Sequence, residues 1–169
     1  MRILGIDPGL RLTGYGLVEV TGSRVAFVEA GVIRTSLRAA LPERLYELHV
    51  GVHEILVDGR PAAIALEDVF AHPGFPRTAI IMGHVCGVIG LAAAQARVPV
   101  DTIAPAAVKR AMVVSGQAGK RQIQRMVRIL LDLAEDPGSH AADALALALV
   151  AASRRGAALQ TAGGARAPA

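Results

Sequence analysis

Two acidic residues each follow a short apolar run, and such residues can bind a metal ion or transfer protons. Asp7 ends the run at residues 2–6, and Glu67 ends the run at residues 62–66. A carboxylate at the end of a buried strand must be solvated, paired or bound to a cation. On adjacent strands, Asp7 and Glu67 would hold a divalent cation at the carboxyl edge of the sheet. For Asp7 alone, the alternative is a turn-forming role before Pro8.

A second pair of polar residues opens the last apolar segment. His140 and Asp143 are three residues apart, so on a helix both side chains project from one face. Burying an unpaired carboxylate costs several kcal/mol, which leaves few structural explanations for Asp143. His140 has one, as a residue at a helix N-terminus with Ser139 as its cap. Together with the two strand-end acids, the pair predicts a site for Mg²⁺ or Mn²⁺, and the imidazole slightly favours Mn²⁺.

The order of the predicted elements supplies a scaffold for these residues. Apolar runs predict strands at residues 2–7, 12–20, 24–33, 62–66 and 98–103, and helical spacing predicts helices near residues 42–59, 78–97, 105–114, 120–133 and 140–155. The first three strands are expected to be antiparallel neighbours, whereas crossover helices make the later strands parallel. We therefore expect an α/β fold in which a five-stranded mixed sheet has helices on both faces. Residues 1–155 would form this domain, and residues 156–169 a disordered tail rich in Ala, Gly and Arg.

Length and composition exclude several classes of protein. A chain of 169 residues and 17.5 kDa accommodates one globular domain and hardly two. The apolar runs at residues 80–94 and 141–152 fall short of a membrane span of ~18 residues, and no signal-peptide pattern is visible, so we expect no membrane association. The single cysteine, Cys86, allows neither an internal disulfide nor a thiolate metal cage. This composition favours a reducing cytoplasm.

Charge is distributed unevenly along the chain. The formal net charge is +4, yet residues 1–104 contain 9 Lys and Arg against 10 Asp and Glu, and residues 105–169 contain 9 against 4. The 18 basic residues include only two lysines, Lys109 and Lys120, which lie in one short segment. A basic carboxy-terminal part predicts an acidic partner such as a nucleic acid, and its alternative is an ordinary solvated surface.

Three sequence blocks resemble the RuvC family of Holliday junction resolvases. They are Gly5-Ile-Asp-Pro-Gly9 with Thr13-Gly-Tyr-Gly16, then Leu66-Glu-Asp-Val-Phe70, then Ala141-Ala-Asp-Ala-Leu-Ala146, with shorter matches at Ile33-Arg34-Thr35 and Gln124-Arg-Met-Val-Arg128. The first block alone also occurs in actin-like ATPases and sugar kinases, but those proteins need two such domains. The resemblance covers residues 3–152. It implies an RNase H-like fold, a homodimer, and a metal-dependent endonuclease that nicks two opposing strands of a four-way DNA junction in recombination and repair.

The resemblance also implies catalytic and metal-binding roles for Asp7, Glu67, His140 and Asp143. Asp7 would bridge two cations held about 3.5–4 Å apart, and the other three residues would complete their coordination. Water would attack the phosphodiester in line and leave 5′-phosphate and 3′-hydroxyl ends. Many family members have aspartate in place of His140. As a ligand, His140 would have to be neutral, which predicts a loss of activity as pH falls through ~6.5.

Further residues are implied to contact DNA. Lys109 and Lys120 align with lysines that the family places near the DNA backbone, and Arg121 would extend that basic surface. Phe70 corresponds to an aromatic residue that the family inserts near the crossover, where bases can unstack. The proline-rich segment at residues 71–76 departs from the common family pattern, so the preferred cleavage sequence is expected to differ as well.

Implied protein partners are a second copy of the chain and the RuvA–RuvB branch-migration complex. Gly83, Gly87 and Gly90 share one face of the long predicted helix, which is either a dimer interface or a site of close packing within the domain. Two alternative functions are a related RNase H-like nuclease acting on other branched or single-stranded nucleic acid, and a non-catalytic junction-binding module. Cleavage of a synthetic four-way junction compared with a linear duplex of the same sequence distinguishes the first alternative, and Mn²⁺-dependent nicking rejects the second.

Overall fold

The computed structural model describes residues 1–69, 76–112 and 120–159, and of Pro76 and Lys120 it describes only the backbone. Its strands are β1 (Arg2–Asp7), β2 (Leu12–Thr21), β3 (Arg24–Arg34), β4 (Ala63–Glu67) and β5 (Val100–Ile103). Its helices are α1 (Leu41–Gly59), α2 (Pro76–Gln95), α3 (Pro105–Met112), α4 (Lys120–Leu130) and α5 (Ser139–Arg154).

The five strands of the described residues form one mixed sheet in the order β3-β2-β1-β4-β5. Strand β1 is antiparallel to β2, and β2 is antiparallel to β3, because short turns join them. Strand β1 is parallel to β4, and β4 is parallel to β5, because a helix precedes each later strand. The predicted five-stranded mixed sheet is thus confirmed.

Alternating side chains of the sheet build two separate cores. Leu4 and Ile6 of β1 join the core that packs against α1 and α2. Ile3 of β1 and Ala65 of β4 join the core that packs against α3, α4 and α5. Because successive residues of a strand point to opposite faces, this parity places helices on both faces of the sheet, as predicted.

Helix α5 lies unusually close to the sheet over three glycines, Gly5, Gly14 and Gly16, which we call the glycine surface. A Cβ atom at Gly5 would overlap the Ala144 carbonyl oxygen, and one at Gly14 would overlap the His140 carbonyl oxygen. Gly5 and Gly16 are cross-strand partners, and Gly14 is the partner of Asp7. The glycine surface therefore brings the first turns of α5 directly over the end of β1.

Two helix ends differ from the sequence predictions. Ser139 is the first residue of α5, Gly138 occupies the N-cap position, and no side-chain hydrogen bond caps the helix, so the assignment of Ser139 as the cap is wrong. Helix α2 begins before the apolar run at residues 80–94, and its segment Arg77–Gln95 is long and apolar enough to cross a membrane by length and composition alone. The apolar run at residues 80–94 therefore underestimates the length of the apolar part of this helix. In this fold, Val85 and Ile89 of α2 are buried in the core with α1.

The chain continues to pack after α5. Ala157 is buried in the core, and the Ala158 amide donates a hydrogen bond to the Ser23 carbonyl at 3.0 Å. The first residues of the segment predicted to be a tail thus contact the β2–β3 turn. Residues 160–169 of that segment lie outside the described residues.

Candidate active site

The register of the sheet places the two strand-end acids side by side. Ile6 of β1 pairs with Leu66 of β4 in the parallel register, so Asp7 and Glu67 each lie one residue beyond that pair. By parity, both acids share the face that carries Ile3 and Ala65, which is the face covered by α5. The side chain of Asp7 is only 15% exposed. The prediction that two strands deliver carboxylates to one edge agrees with this arrangement.

Helix α5 brings a histidine into contact with Asp7. The distance from His140 Nδ1 to Asp7 Oδ2 is 2.9 Å, with the histidine side chain 39% exposed. A carboxylate accepts, so the Nδ1–H donates and Nε2 keeps its lone pair in the neutral tautomer. In this arrangement, Nε2 is available to bind a cation or a proton while Nδ1 orients the carboxylate.

The pKa of Glu67 reflects its burial and the charges around it. Its pKa is raised from the usual 4.5 to about 7, mainly by burial, with further contributions from the nearby charges of Asp7 and Asp143. The ammonium group of Lys109 acts in the opposite direction and lowers this pKa. The four sequence-predicted residues thus form one group, which we call the acidic site: Asp7, Glu67, His140 and Asp143.

The donor set of the acidic site fits a divalent cation in its chemistry. Among the described residues, no three His, Cys, Asp or Glu side chains already converge closely enough to form a ready-made metal cluster. Burial raises the pKa of Glu67 most, and the charges of Asp7 and Asp143 add to it; a bound cation would offset that repulsion among the acids. Carboxylates with one imidazole suit Mg²⁺ or Mn²⁺.

Sequence reasoning missed a set of hydrogen bonds in the turn that follows Asp7. Thr13 is fully buried, and its hydroxyl donates to the Gly9 carbonyl at 2.6 Å. Thr35 is also buried, and its hydroxyl donates to the Leu10 carbonyl at 2.5 Å. Residues of both bonds lie in matched blocks, at Gly5–Gly9, Thr13–Gly16 and residues 33–35, but the matches carried no chemical interpretation by themselves.

A second missed set of contacts holds the loop that leads into α5. The Gln124 side-chain amide donates to the Pro137 carbonyl at 2.8 Å. Arg128 Nε lies 2.8 Å from Asp136 Oδ1. Both Gln124 and Arg128 belong to the matched block on α4, and both contact the loop just before His140. Arg128 therefore has a structural partner in addition to any contact with DNA.

The predicted DNA-contacting residues are only partly covered by the structure. Lys109 on α3 lies close enough to Glu67 to affect its pKa, and Arg121 is exposed on α4. Arg121, Arg125 and Arg128 line an open groove of about 600 Å³ together with Glu135. Phe70, residues 71–75 and the side chain of Lys120 lie outside the described residues.

Comparisons with known proteins match most of the chain. Residues 3–151 match the family model described as crossover junction endodeoxyribonuclease RuvC. Proteins of that name from Rhodopirellula baltica (48% identity over 148 residues, covering 87% of this chain and 83% of that protein) and Halorhodospira halophila (46% over 161 residues, 95% of each) are similar to it. The fold is similar to the structure of T. thermophilus RuvC in complex with Holliday junction substrate, with a TM-score of 0.81, 36% identity, and coverage of 92% and 96%. A yeast mitochondrial Holliday junction resolvase shares the fold at a TM-score of 0.62 and 16% identity, covering 89% of this chain and 75% of that one.

Proposed function

This chain belongs to the RuvC family of crossover junction endodeoxyribonucleases, and we propose that its acidic site is where the DNA is cut. The protein is a Holliday junction resolvase, a hydrolase of DNA recombination and repair. The observation that carries the assignment of the site is the meeting of three elements: Asp7 and Glu67 lie at adjacent ends of β1 and β4, and His140 Nδ1 on α5 lies 2.9 Å from Asp7 Oδ2. Burial and the charges of Asp7 and Asp143 raise the pKa of Glu67 there, which agrees with this assignment. Such a concentration of acids lowers the free energy of unfolding and is typical of a catalytic centre.

The resolvase is a divalent-metal-dependent nuclease, and we assign the metal ligands to the acidic site. Asp7, Glu67 and Asp143 would hold Mg²⁺ or Mn²⁺, two ions per site, with Asp7 as the shared ligand. When bound, the cations supply an activated water and neutralise charge on the scissile phosphate. Glu67 must lose its proton before it can ligate, and its raised pKa makes that step pH-dependent near neutrality.

His140 has two roles that fit its contact with Asp7. Its Nδ1–H orients the Asp7 carboxylate, and its Nε2 is available as a ligand or a proton acceptor. Water attack and departure of the 3′ oxygen would leave a 5′-phosphate and a 3′-hydroxyl, which are the ends that a ligase can rejoin. Lys109, close to Glu67, would bind the phosphate that enters the site.

The DNA path is proposed to run from the acidic site across α4. Arg121 is exposed there, and Lys120 begins the same helix. These cations would bind backbone phosphates, which fixes the position of the junction without reading its sequence. Phe70, three residues beyond Glu67, is proposed to enter the crossover, where the bases are easiest to unstack.

A homodimer is proposed through the outer face of α2. Ile80 and Leu91 are large apolar side chains that are 64% and 53% exposed. Between them, a Cβ atom at Gly83, Gly87 or Gly90 would meet no atom within 4 Å in the part of the chain that the structure describes. These five positions recur at helical spacing, so a second helix could approach closely there. A two-fold dimer would present two acidic sites to two opposing strands of a four-way junction.

We place the resolvase in the cytoplasm beside the RuvA–RuvB complex, which would supply migrating junctions. The single cysteine and the DNA substrate support this location. The family resemblance supports the partner complex.

The assignment is tested by comparing cleavage of a mobile four-way junction with cleavage of a linear duplex of the same sequence, with Mg²⁺ or Mn²⁺. We expect paired nicks in the junction only, and Asp7→Asn should bind the junction with unchanged affinity but leave it intact. Asp58→Asn is the matched control, because Asp58 is exposed at the far end of α1. Equal cutting of the duplex would favour a general RNase H-like nuclease. Binding of the junction by the wild type without cleavage would favour a non-catalytic module.

A further inference from the structure

Three hydrogen bonds link the turn that directly follows Asp7 to Thr35 and Arg44. The Thr35 hydroxyl donates to the Leu10 carbonyl at 2.5 Å. Arg44 Nη2 donates to the same carbonyl at 3.2 Å, and Arg44 Nε donates to the Thr35 hydroxyl oxygen at 3.1 Å. The Leu10 carbonyl, the Thr35 hydroxyl and the Arg44 guanidinium therefore form a closed triangle.

The triangle joins three elements that are distant in the sequence. Leu10 lies in the β1–β2 turn, Thr35 follows the end of β3, and Arg44 lies in the first helical turn of α1. The backbone adds a further bond, since the Thr35 amide donates to the Arg11 carbonyl at 3.2 Å. Thr35 is only 7% exposed, so its hydroxyl has little access to water as an alternative partner.

The turn has little remaining freedom, and it begins at the residue after Asp7. Pro8 restricts its own φ, and the Thr13 hydroxyl donates to the Gly9 carbonyl at 2.6 Å. The register between β1 and β4 fixes the backbone before Asp7. The Thr35–Arg44 triangle fixes the backbone after it.

We propose that Thr35 and Arg44 are positioning residues that orient the carboxylate of Asp7 through the turn at residues 8–11. This inference rests on the proposed function, because it assigns the two residues to the cleavage step. Neither residue needs to contact DNA or a cation. Catalysis of this kind tolerates little displacement, since an error of about 1 Å in a reacting group can cost ~10²-fold in rate.

The test uses Thr35→Val, which keeps the shape but removes the hydroxyl, and Thr35→Ser, which restores the hydroxyl. Leu56→Ala is the matched control, because Leu56 is buried on α1 three turns beyond Arg44 and its truncation destabilises the same helix. Single-turnover cleavage, junction affinity in Ca²⁺ and binding of Mn²⁺ to the DNA-free protein are measured at a temperature where all variants are folded.

We expect Thr35→Val to slow cleavage by roughly 10–100-fold and to weaken Mn²⁺ binding severalfold, with junction affinity within about threefold of wild type. Thr35→Ser should recover most of both losses, and Arg44→Lys should resemble Thr35→Val because an ammonium cannot make the same two bonds. A Thr35→Val protein with wild-type cleavage and Mn²⁺ binding would overturn the proposal, as would an equal loss in Leu56→Ala. If wild type cut no junction, the proposed function would fail, while the Mn²⁺ measurement would still decide the positioning role.

Discussion

The sheet side and the helix side of the acidic site are held in place by different forces. On the sheet side, backbone hydrogen bonds between β1 and β4 set the positions of Asp7 and Glu67. On the helix side, close packing of α5 on the glycine surface sets the positions of His140 and Asp143. Backbone register changes only in whole residues, whereas packing responds to a single added methyl group. The two sides should therefore tolerate substitution very differently.

The largest effect is expected from removing one carboxylate on each side. Glu67→Gln and Asp143→Asn should each lower single-turnover cleavage by roughly 10³-fold or more, because both sides must act on one phosphate. The double variant should be no slower than the worse single variant, since residues that act as a unit are not additive. Rates measured on the same synthetic junction decide this. Losses that multiply in the double variant would mean that the two sides act independently.

The next largest effect is expected from disturbing the packing of α5 on the glycine surface, which should affect the helix side of the site. A Cβ atom at Gly14 would overlap the His140 carbonyl oxygen, so Gly14→Ala should push the start of α5 away from β1. We expect a loss of about 1–3 kcal/mol in the free energy of unfolding and a cleavage rate lowered about 10–100-fold. Gly138→Ala is the matched control, because a Cβ there meets no atom of the described residues within 4 Å. Chemical denaturation and cleavage assays measure both effects, and equal behaviour of the two variants would contradict the packing account.

The same difference explains what the sequence could predict. The sequence predicts Asp7 and Glu67 as site residues because an acid after an apolar run is a local pattern. It predicts that His140 and Asp143 share a helix face because they are three residues apart. Both features depend on near neighbours in the chain. The sheet, its mixed topology and the helices on both faces also followed from the order of the elements.

Contacts between distant segments cannot be predicted from local patterns in the sequence. The Thr35–Leu10 and Arg44–Leu10 bonds span 25 and 34 residues, and neither side chain has a spacing that predicts a partner. A glycine in a strand indicates close approach without identifying what approaches, so the glycine surface became visible only with α5 in place. The residue type of Ser139 predicts a cap, yet Gly138 occupies that position.

A smaller effect is expected on the stability of the metal-free protein, and it comes from Glu67 on the sheet side. Burial raises the pKa of Glu67 from its usual 4.5 to about 7 in the folded protein, so folding favours the protonated form. Stability of the metal-free protein should therefore fall as pH rises from 4.5 to 7, by on the order of 1 kcal/mol after allowance for solvent screening. Glu67→Gln should lose this dependence. Thermal unfolding in EDTA at pH 5 and pH 8 measures it, and identical pH dependence in both proteins would refute the electrostatic assignment.

The smallest effect belongs to the basic surface of α4, where Arg121 is exposed rather than packed. Arg121→Ala should weaken junction binding by about 2–5-fold and lower the slope of log affinity against log salt by about 1, because one phosphate contact is lost. Arg24→Ala is the matched control. Arg24 is exposed at the first residue of β3, whereas the other end of that strand, at Arg34, pairs with Leu12 near the site. Fluorescence titrations at several salt concentrations give both quantities. The cleavage rate at saturating protein should not change, because Arg121 orients neither side of the acidic site. A lowered saturating rate would instead place Arg121 among the residues that position the scissile phosphate.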